Sequence, residues 1–244
     1  MIDIHCHILP DYDDGADDLE EALEMARMAA LSGVTDIITT PHFNGEPEEL
    51  EQLPLMRRQL QILRSAVEQA GLPLKLHAGA EVLCLPETVV LADRHQLPTL
   101  ADTNYVLTEF YFDESYAYMD EMLSQILQCG YKPVVAHPER YDVIQREPPL
   151  LRRWARQGCV IQLNKGSVLG AFGSHPEETA NDILAMGLAH VFASDAHSCH
   201  SRTPHMGELH RWVEECCDGD YAAILLEENP RRLLRGKPMV GMDF

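Results

Sequence analysis

Basic residues are scarce in this chain. Nineteen lysines and arginines stand against 39 aspartates and glutamates, a formal net charge of −20. A chain so acidic excludes nucleic acid and anionic membrane as main partners, since binding to phosphate-rich surfaces runs on clustered Lys and Arg. Cysteines number seven, an odd count with no C-x-x-C spacing. A secreted disulfide framework is therefore excluded, and the chain reads as reduced and cytoplasmic. No cationic leader opens it and no apolar run is long enough to cross a bilayer, so no membrane insertion is expected. Glycine-rich phosphate loops are missing: there is neither a G-x-G-x-x-G nor a P-loop, which removes the nucleotide-binding classes built on them. Internal repeats, low-complexity tracts and strong linkers are also absent. What remains is 244 residues with a hydrophobic fraction of 45%, suited to one domain over 1–244 with a substantial core.

The stretch that organises the rest is Ile4-His5-Cys6-His7, with Asp11, Asp13 and Asp14 close behind. A short apolar start predicts a strand, and residues two apart on a strand share a face, so His5 and His7 point together. Asp17 to Glu20 has capping-box spacing. Leu19, Ala22, Leu23, Ala26, Ala29 and Ala30 then form a stripe of helical period, closed by Gly33. Further strands are predicted over 34–40, 74–81, 105–110, 132–137, 159–164 and 188–195. Helical segments are predicted between them: a charged helix over 47–70, a short one after Pro86, then 115–129, 150–157 and 177–186. From about Pro204 the chain is expected to be mostly helical. Seven strands alternating with helices predict a parallel sheet closed into a (β/α)7 barrel.

The pattern with chemical content is positional. Nearly every strand ends in a residue able to bind a metal: His5 and His7, His42, Glu81, Glu109, His137, Asn164, then Asp195 and His197. In a barrel, the C-terminal ends of the strands gather at one mouth, where catalytic residues sit. Imidazole and carboxylate ligands without thiolate suit manganese, iron or zinc better than magnesium or calcium. Eight or nine candidate ligands exceed the needs of one ion, so two or three ions are expected, with Glu81 able to bridge. Two ions ~3.5–4 Å apart can activate water between them and stabilise both oxygens of a phosphoryl transfer. Arg140 and Arg202 follow ligand positions within a few residues, and their planar forks suit phosphate.

Thr40-Pro41-His42, Gly79-Ala80-Glu81, Glu109-Phe110, Ala136-His137-Pro138-Glu139-Arg140 and Ser194-Asp195-Ala196-His197 resemble the polymerase-and-histidinol-phosphatase (PHP) superfamily. Asp13-Asp14-Gly15, Leu97-Pro98-Thr99-Leu100 and Arg202-Thr203-Pro204-His205-Met206 resemble, within it, the bacterial capsule and exopolysaccharide tyrosine-protein phosphatases. The resemblance implies a distorted (β/α)7 barrel with a three-metal centre. It places His5, His7, Glu81 and Asp195 on one ion, and Glu81, Glu109 and His137 on a second. Asp14, His42 and His197 fall on the third, with the nearby Asp11 and Asp13 as alternatives to Asp14. It further implies phosphate binding by Arg140 and Arg202 and hydrolysis of protein phosphotyrosine, with metal-bound hydroxide as the candidate nucleophile; from the donor set manganese is the expected metal, with iron or zinc as alternatives. The implied protein partner is a bacterial tyrosine kinase that controls polysaccharide assembly. Independently, the Cys-dependent tyrosine phosphatases need an Arg six residues after a nucleophilic Cys, and none of the seven cysteines has one.

Three other readings compete. A small-molecule enzyme of the same fold, such as a histidinol phosphatase, would use the same ligands. An amidohydrolase also starts with His-x-His, but expects a metal-bridging Lys where Glu109 stands. A non-catalytic metal-binding regulator would show gaps in the ligand set, and there are none. Asp3 and His77 share strand parity with ligands and suit supporting roles. His200 and His205 flank Arg202. Phe43, Tyr111, Phe112 and Tyr141 follow ligand positions and suit either a groove for an aromatic phosphoester or packing beside the mouth.

Overall fold

Apolar residues at alternate strand positions build a ring of parallel strands with a filled centre. The structure is a computed structural model that describes residues 1–217 and 219–241. Residues 218 and 242–244, inside the domain predicted over 1–244, lie outside the described residues. The strands are β1 (Ile2–Cys6), β2 (Asp36–Thr39), β3 (His42–Phe43), β4 (Lys75–Ala78), β5 (Glu81–Leu83), β6 (Tyr105–Glu109), β7 (Lys132–Val135), β8 (Val160–Asn164) and β9 (Val191–Ala193). All pair in parallel, in the orders β1-β2-β4 and β3-β5-β6-β7-β8-β9.

These nine pieces occupy seven barrel positions, because two predicted strands are broken. The strand predicted over 34–40 yields β2 and then β3, interrupted at Thr40-Pro41, where proline has no N–H for the ladder. The strand predicted over 74–81 yields β4 and β5, interrupted at Gly79-Ala80. A Cβ on Gly79 would lie 2.6 Å from Ile38 Cγ2 and 2.9 Å from Leu100 Cδ2, so the chain passes there only without a side chain. Single bonds carry the ladder over the breaks: Thr40 N–H to Cys6 O at 2.9 Å and Glu81 N–H to Pro41 O at 2.9 Å. The ring closes where β9 meets β1, through a parallel bridge between Cys6 and Ala196. There Asp195 N–H donates to His5 O at 2.9 Å and His7 N–H to Ala196 O at 2.8 Å. The barrel is distorted, as the family resemblance implied.

Helices cover the outside: α1 (Leu19–Leu31), α2 (Pro47–Gln69), α3 (Pro86–Asp93), α4 (Tyr116–Gln128), α5 (Asp142–Arg146), α6 (Leu151–Gln157), α7 (Lys165–Val168), α8 (Ser174–Ala185) and α9 (Gly207–Cys216). Helical turns continue from Gly219 to Leu233. The short α5 and α7 were not expected. The cap of α1 sits one residue later than predicted: Asp18, not Asp17, accepts from Glu21 N–H at 2.9 Å. Two apolar layers follow from strand alternation. On β8, Val160 joins the barrel interior with Ile4, Ile38, Leu107 and Val134, while Ile161 and Leu163 face the helices.

The register of β1 against β2 slips between Asp3 and Cys6, so β1 carries one extra residue. This bulge has a consequence for the site, since an inserted residue reverses the parity on one side of it. Cys6 and Asp3 fall on the helix-facing side, while His5 and His7 face the mouth. Asp3 therefore does not share a face with His5, as simple alternation predicted.

Candidate metal centre

Apart from Asp14, which lies in the turn region between β1 and α1, each candidate ligand stands at or within a few residues of a strand end. His5 Nε2 lies 3.1 Å from His7 Nε2, 3.2 Å from Glu81 Oε2 and 3.4 Å from Asp195 Oδ1. His7 Nε2 lies 3.2 Å from the same Glu81 oxygen. The other Glu81 oxygen, Oε1, lies 3.1 Å from His137 Nε2, which is 3.6 Å from Glu109 Oε1. Asp14 Oδ1 lies 3.4 Å from His42 Nε2 and 3.6 Å from His197 Nε2. His42 Nδ1 faces Glu81 Oε2 at 3.4 Å and Glu109 Oε2 at 3.6 Å. All nine predicted donors converge. Ligand atoms about 2.0–2.2 Å from one ion stand roughly 2.8–3.6 Å from each other in octahedral or tetrahedral arrangement, so these spacings fit shared ions. Glu81 stands between two of the groups, one oxygen to each.

The imidazoles are oriented from behind. His5 Nδ1 is 3.0 Å from Gln162 Oε1, Gln162 Nε2 donates to Asn164 Oδ1 at 2.7 Å, and Asn164 Nδ2 donates to Asp195 Oδ2 at 2.6 Å. This buried relay assigns the Nδ1 proton of His5 and leaves Nε2 as a lone pair toward the mouth. His7 Nδ1 bonds Asp13 Oδ2 at 2.8 Å with the same result. Asp13 also accepts from His42 N–H at 3.0 Å and Gly15 N–H at 3.1 Å. Asp13 is thus committed behind His7, and Asp14, with its more exposed side chain, is the aspartate that reaches His42 and His197.

Charge makes the same demand. Burial alone would lower the pKa of His5, but Glu81 and Asp195 outweigh it and push the imidazolium up to about 9. Burial would lower that of His7 too, and its bonds to Asp13 and Glu81 raise it to about 10. Glu109 is pushed up to about 8, by burial and then by the nearby Glu81 charge. Buried carboxylates crowded this closely require positive charge, and divalent ions on the neutral imidazoles would supply it.

Both predicted arginines are at the mouth. Arg202 Nη2 lies 2.5 Å and Arg140 Nη1 3.6 Å from Asp195 Oδ2. The Arg202 Nε is buried and has no hydrogen-bond partner among the described residues. Arg140 lies between two rings, 4.4 Å from the centre of Phe112 and 4.6 Å from that of Phe172. His137, Asp195 and Arg202 have positive φ of 35°, 50° and 49°. Such conformations cost roughly 1–3 kcal/mol each and persist where the surroundings hold them.

The four aromatics separate into pairs. Phe43 and Tyr141 are buried, the latter accepting from Phe110 N–H at 3.2 Å. Tyr111 and Phe112 are 57% and 41% exposed and line an open cleft of about 330 Å³ beside His42 and Glu109. Other candidates lie elsewhere. Asp3 accepts from Ser194 Oγ at 2.5 Å and Ser194 N–H at 3.0 Å, and so braces β9 from the helix side. His77 pairs with Asp36 at 2.8 Å, because the break after Ala78 ends the parity linking it to Glu81. His200 groups with Glu21 and Cys199 outside the centre. Sequence reasoning missed Gln162, Lys165 and Phe172. The inward parity of Gln162 with Asn164 was a usable signal; the other two had none.

A parallel barrel whose mouth gathers imidazoles and carboxylates at these spacings defines a metal-binding α/β barrel. The chain belongs to the capsular polysaccharide synthesis CpsB/CapC family, whose model it matches over residues 1–235. It is 36% identical over 237 residues to the tyrosine-protein phosphatase YwqE of Bacillus subtilis, covering 97% of this chain and 92% of that one. It is 32% identical over 239 residues to the tyrosine-protein phosphatase CpsB of Streptococcus pneumoniae, covering 96% and 98%. Among solved structures it superimposes with a TM-score of 0.86 and 34% identity on the crystal structures of YwqE from B. subtilis and CpsB from S. pneumoniae, described as metal-dependent tyrosine phosphatases. That match covers 98% of this chain and 96% of the other.

Proposed function

We propose that this chain is a metal-dependent protein-tyrosine phosphatase. One observation carries the reading: two arginines converge on Oδ2 of Asp195, whose other oxygen faces the His5 and His7 ligand group. A phosphoryl group would there meet cations on both sides. His5, His7, Glu81 and Asp195 would hold one ion, Glu81, Glu109 and His137 a second, and Asp14, His42 and His197 a third. Manganese is the metal of this reading, with iron or zinc as alternatives, since mixed imidazole and carboxylate donors without thiolate suit all three. Bound ions would supply Lewis acidity to the phosphoryl oxygens and acidify water.

The protein's own residues do the rest. Arg140 and Arg202 grip phosphate oxygens by their N–H edges. Tyr111 and Phe112 offer an apolar wall to the aryl ring in the adjoining cleft. Tyrosine, with pKa ≈ 10, leaves more readily than an alkyl alcohol, so little proton assistance is required of the site. The mouth is open at this cleft, which suits a phosphate presented on a polypeptide. The natural partner on this reading is a bacterial tyrosine kinase that controls polysaccharide assembly. All seven cysteines are free thiols, which suits the cytoplasm. No described helix is long and apolar enough to cross a membrane.

The test is a comparison of kcat/KM for the manganese-loaded protein on phosphotyrosine peptides, phosphoserine peptides and histidinol phosphate. Phosphotyrosine is expected to lead and phosphoserine to be poor. Faster turnover of histidinol phosphate than of every phosphotyrosine peptide would replace this reading with a small-molecule phosphatase.

A further inference from the structure

Directly after β8, the short helix α7 touches both arginines indirectly. Lys165 is largely buried, and its Nζ donates to the carbonyls of Thr203 and His205, the latter at 3.3 Å. Thr203 follows Arg202, whose left-handed φ of 49° needs holding from outside. Gly166, the next residue, lies under the ring of Phe172: a Cβ there would stand 2.6 Å from Phe172 Cε2. The same ring lies 4.6 Å from the Arg140 guanidinium carbon and 5.8 Å from that of Arg202. The ring of Phe112 also contacts Arg140, 4.4 Å from the guanidinium carbon. Arg140 is thus held by ring contacts from two aromatic side chains.

We propose that Lys165, Gly166 and Phe172 form a positioning device for the two arginines. Lys165 fixes the chain that carries Arg202. Phe172, seated on the bare backbone of Gly166, clamps Arg140 against Phe112 so that its fork meets the phosphate edge-on. The device rests on the phosphate-binding role of Arg140 and Arg202. A cation–π contact is worth roughly a factor of 2 to 30 in equilibrium, so its loss is measurable without loss of the fold.

The experiment measures kcat/KM on a phosphotyrosine peptide and the inhibition constant of inorganic phosphate, with metal content checked in every variant. Phe172→Leu keeps an apolar side chain but removes the ring face, and Phe172→Tyr keeps the ring. Phe172→Leu is expected to lower kcat/KM about tenfold and weaken phosphate inhibition in parallel, while Phe172→Tyr stays near wild type. Gly166→Ala should reproduce Phe172→Leu, because the new methyl displaces the ring, and should cost nothing further in a Phe172→Leu background. In an Arg140→Ala background Phe172→Leu should have no effect. Lys165→Met should act through Arg202 and lose its effect in Arg202→Ala. Unchanged phosphate inhibition in Phe172→Leu, with Arg140→Ala impaired, would overturn the device and leave the phosphate reading standing. Losses that multiply in the double variants would also overturn it. An unimpaired Arg140→Ala would remove the phosphate reading and the device together.

Discussion

Asp13 and Asp14 are adjacent, chemically identical and separable by experiment. Asp13 holds three donors, from His7 Nδ1, His42 N–H and Gly15 N–H at 2.8, 3.0 and 3.1 Å. Asp14 has 61% of its side chain exposed and faces His42 and His197 at 3.4 and 3.6 Å. Asp13→Ala should therefore weaken metal binding without removing a ligand. Loss of a carboxylate that orients a ligating imidazole costs 10–100-fold in metal affinity, or about 1.4–2.7 kcal/mol. It should also lower stability by about 1–3 kcal/mol, since the side chain of His7 is wholly buried and would be left with an unpaired Nδ1–H. Asp14→Ala should instead remove one ion from the stoichiometry, with little effect on the stability of the metal-free fold. Metal per chain, measured by elemental analysis after gel filtration and by calorimetric titration with manganese, distinguishes the two. At saturating manganese, Asp13→Ala should recover full occupancy and Asp14→Ala should not. An Asp13→Ala protein that lacks an ion at saturation, beside an Asp14→Ala protein that keeps all of them, would exchange the two roles.

Glu81→Gln should lose both metal and rate, because Glu81 faces His5, His7 and His42 with one oxygen and His137 with the other; full metal occupancy with near-normal turnover would show that it does not bridge. Arg140→Ala and Arg202→Ala should keep their metals while kcat/KM falls on the order of 10²-fold or more, with only partial rescue by lysine; wild-type kinetics in both would leave them as ion-pair partners of Asp195. A chelator should abolish activity and manganese restore it, and full activity of verified metal-free protein would end the metal reading. In metal-free protein the raised His5 and His7 stabilise the fold fully below the unfolded histidine value near 6.5, and lose that contribution as pH rises through about 9 and 10. The melting temperature of metal-free protein should therefore fall over that range, while metal-loaded protein, whose imidazoles are neutral already, should not show the same fall.

The donors were legible in the sequence because barrel geometry turns chain position into spatial position. A polar residue at the end of each strand arrives at one mouth whatever the loops do, so His5, His42, Glu81, Glu109, His137 and Asp195 announce themselves by place alone. The seven-fold alternation of strand and helix likewise needs only periodicity and glycine stops. Tertiary structure decided what depends on one residue of register or on contacts between distant segments. The bulge in β1 turned Asp3 away from the site although its parity with His5 was right on paper. The break at Gly79 severed His77 from Glu81. Asp13 and Asp14 differ by a single step along a turn, and only the fold chose which of them stands behind His7. Phe172 and Lys165 gave no signal at all, because stacking on Arg140 and holding the carbonyls beside Arg202 are properties of neighbours brought together across some thirty to forty residues of chain. Local pattern fixes which end of a strand a residue occupies; its face past a bulge and what it touches there are set by packing, which no window of sequence contains.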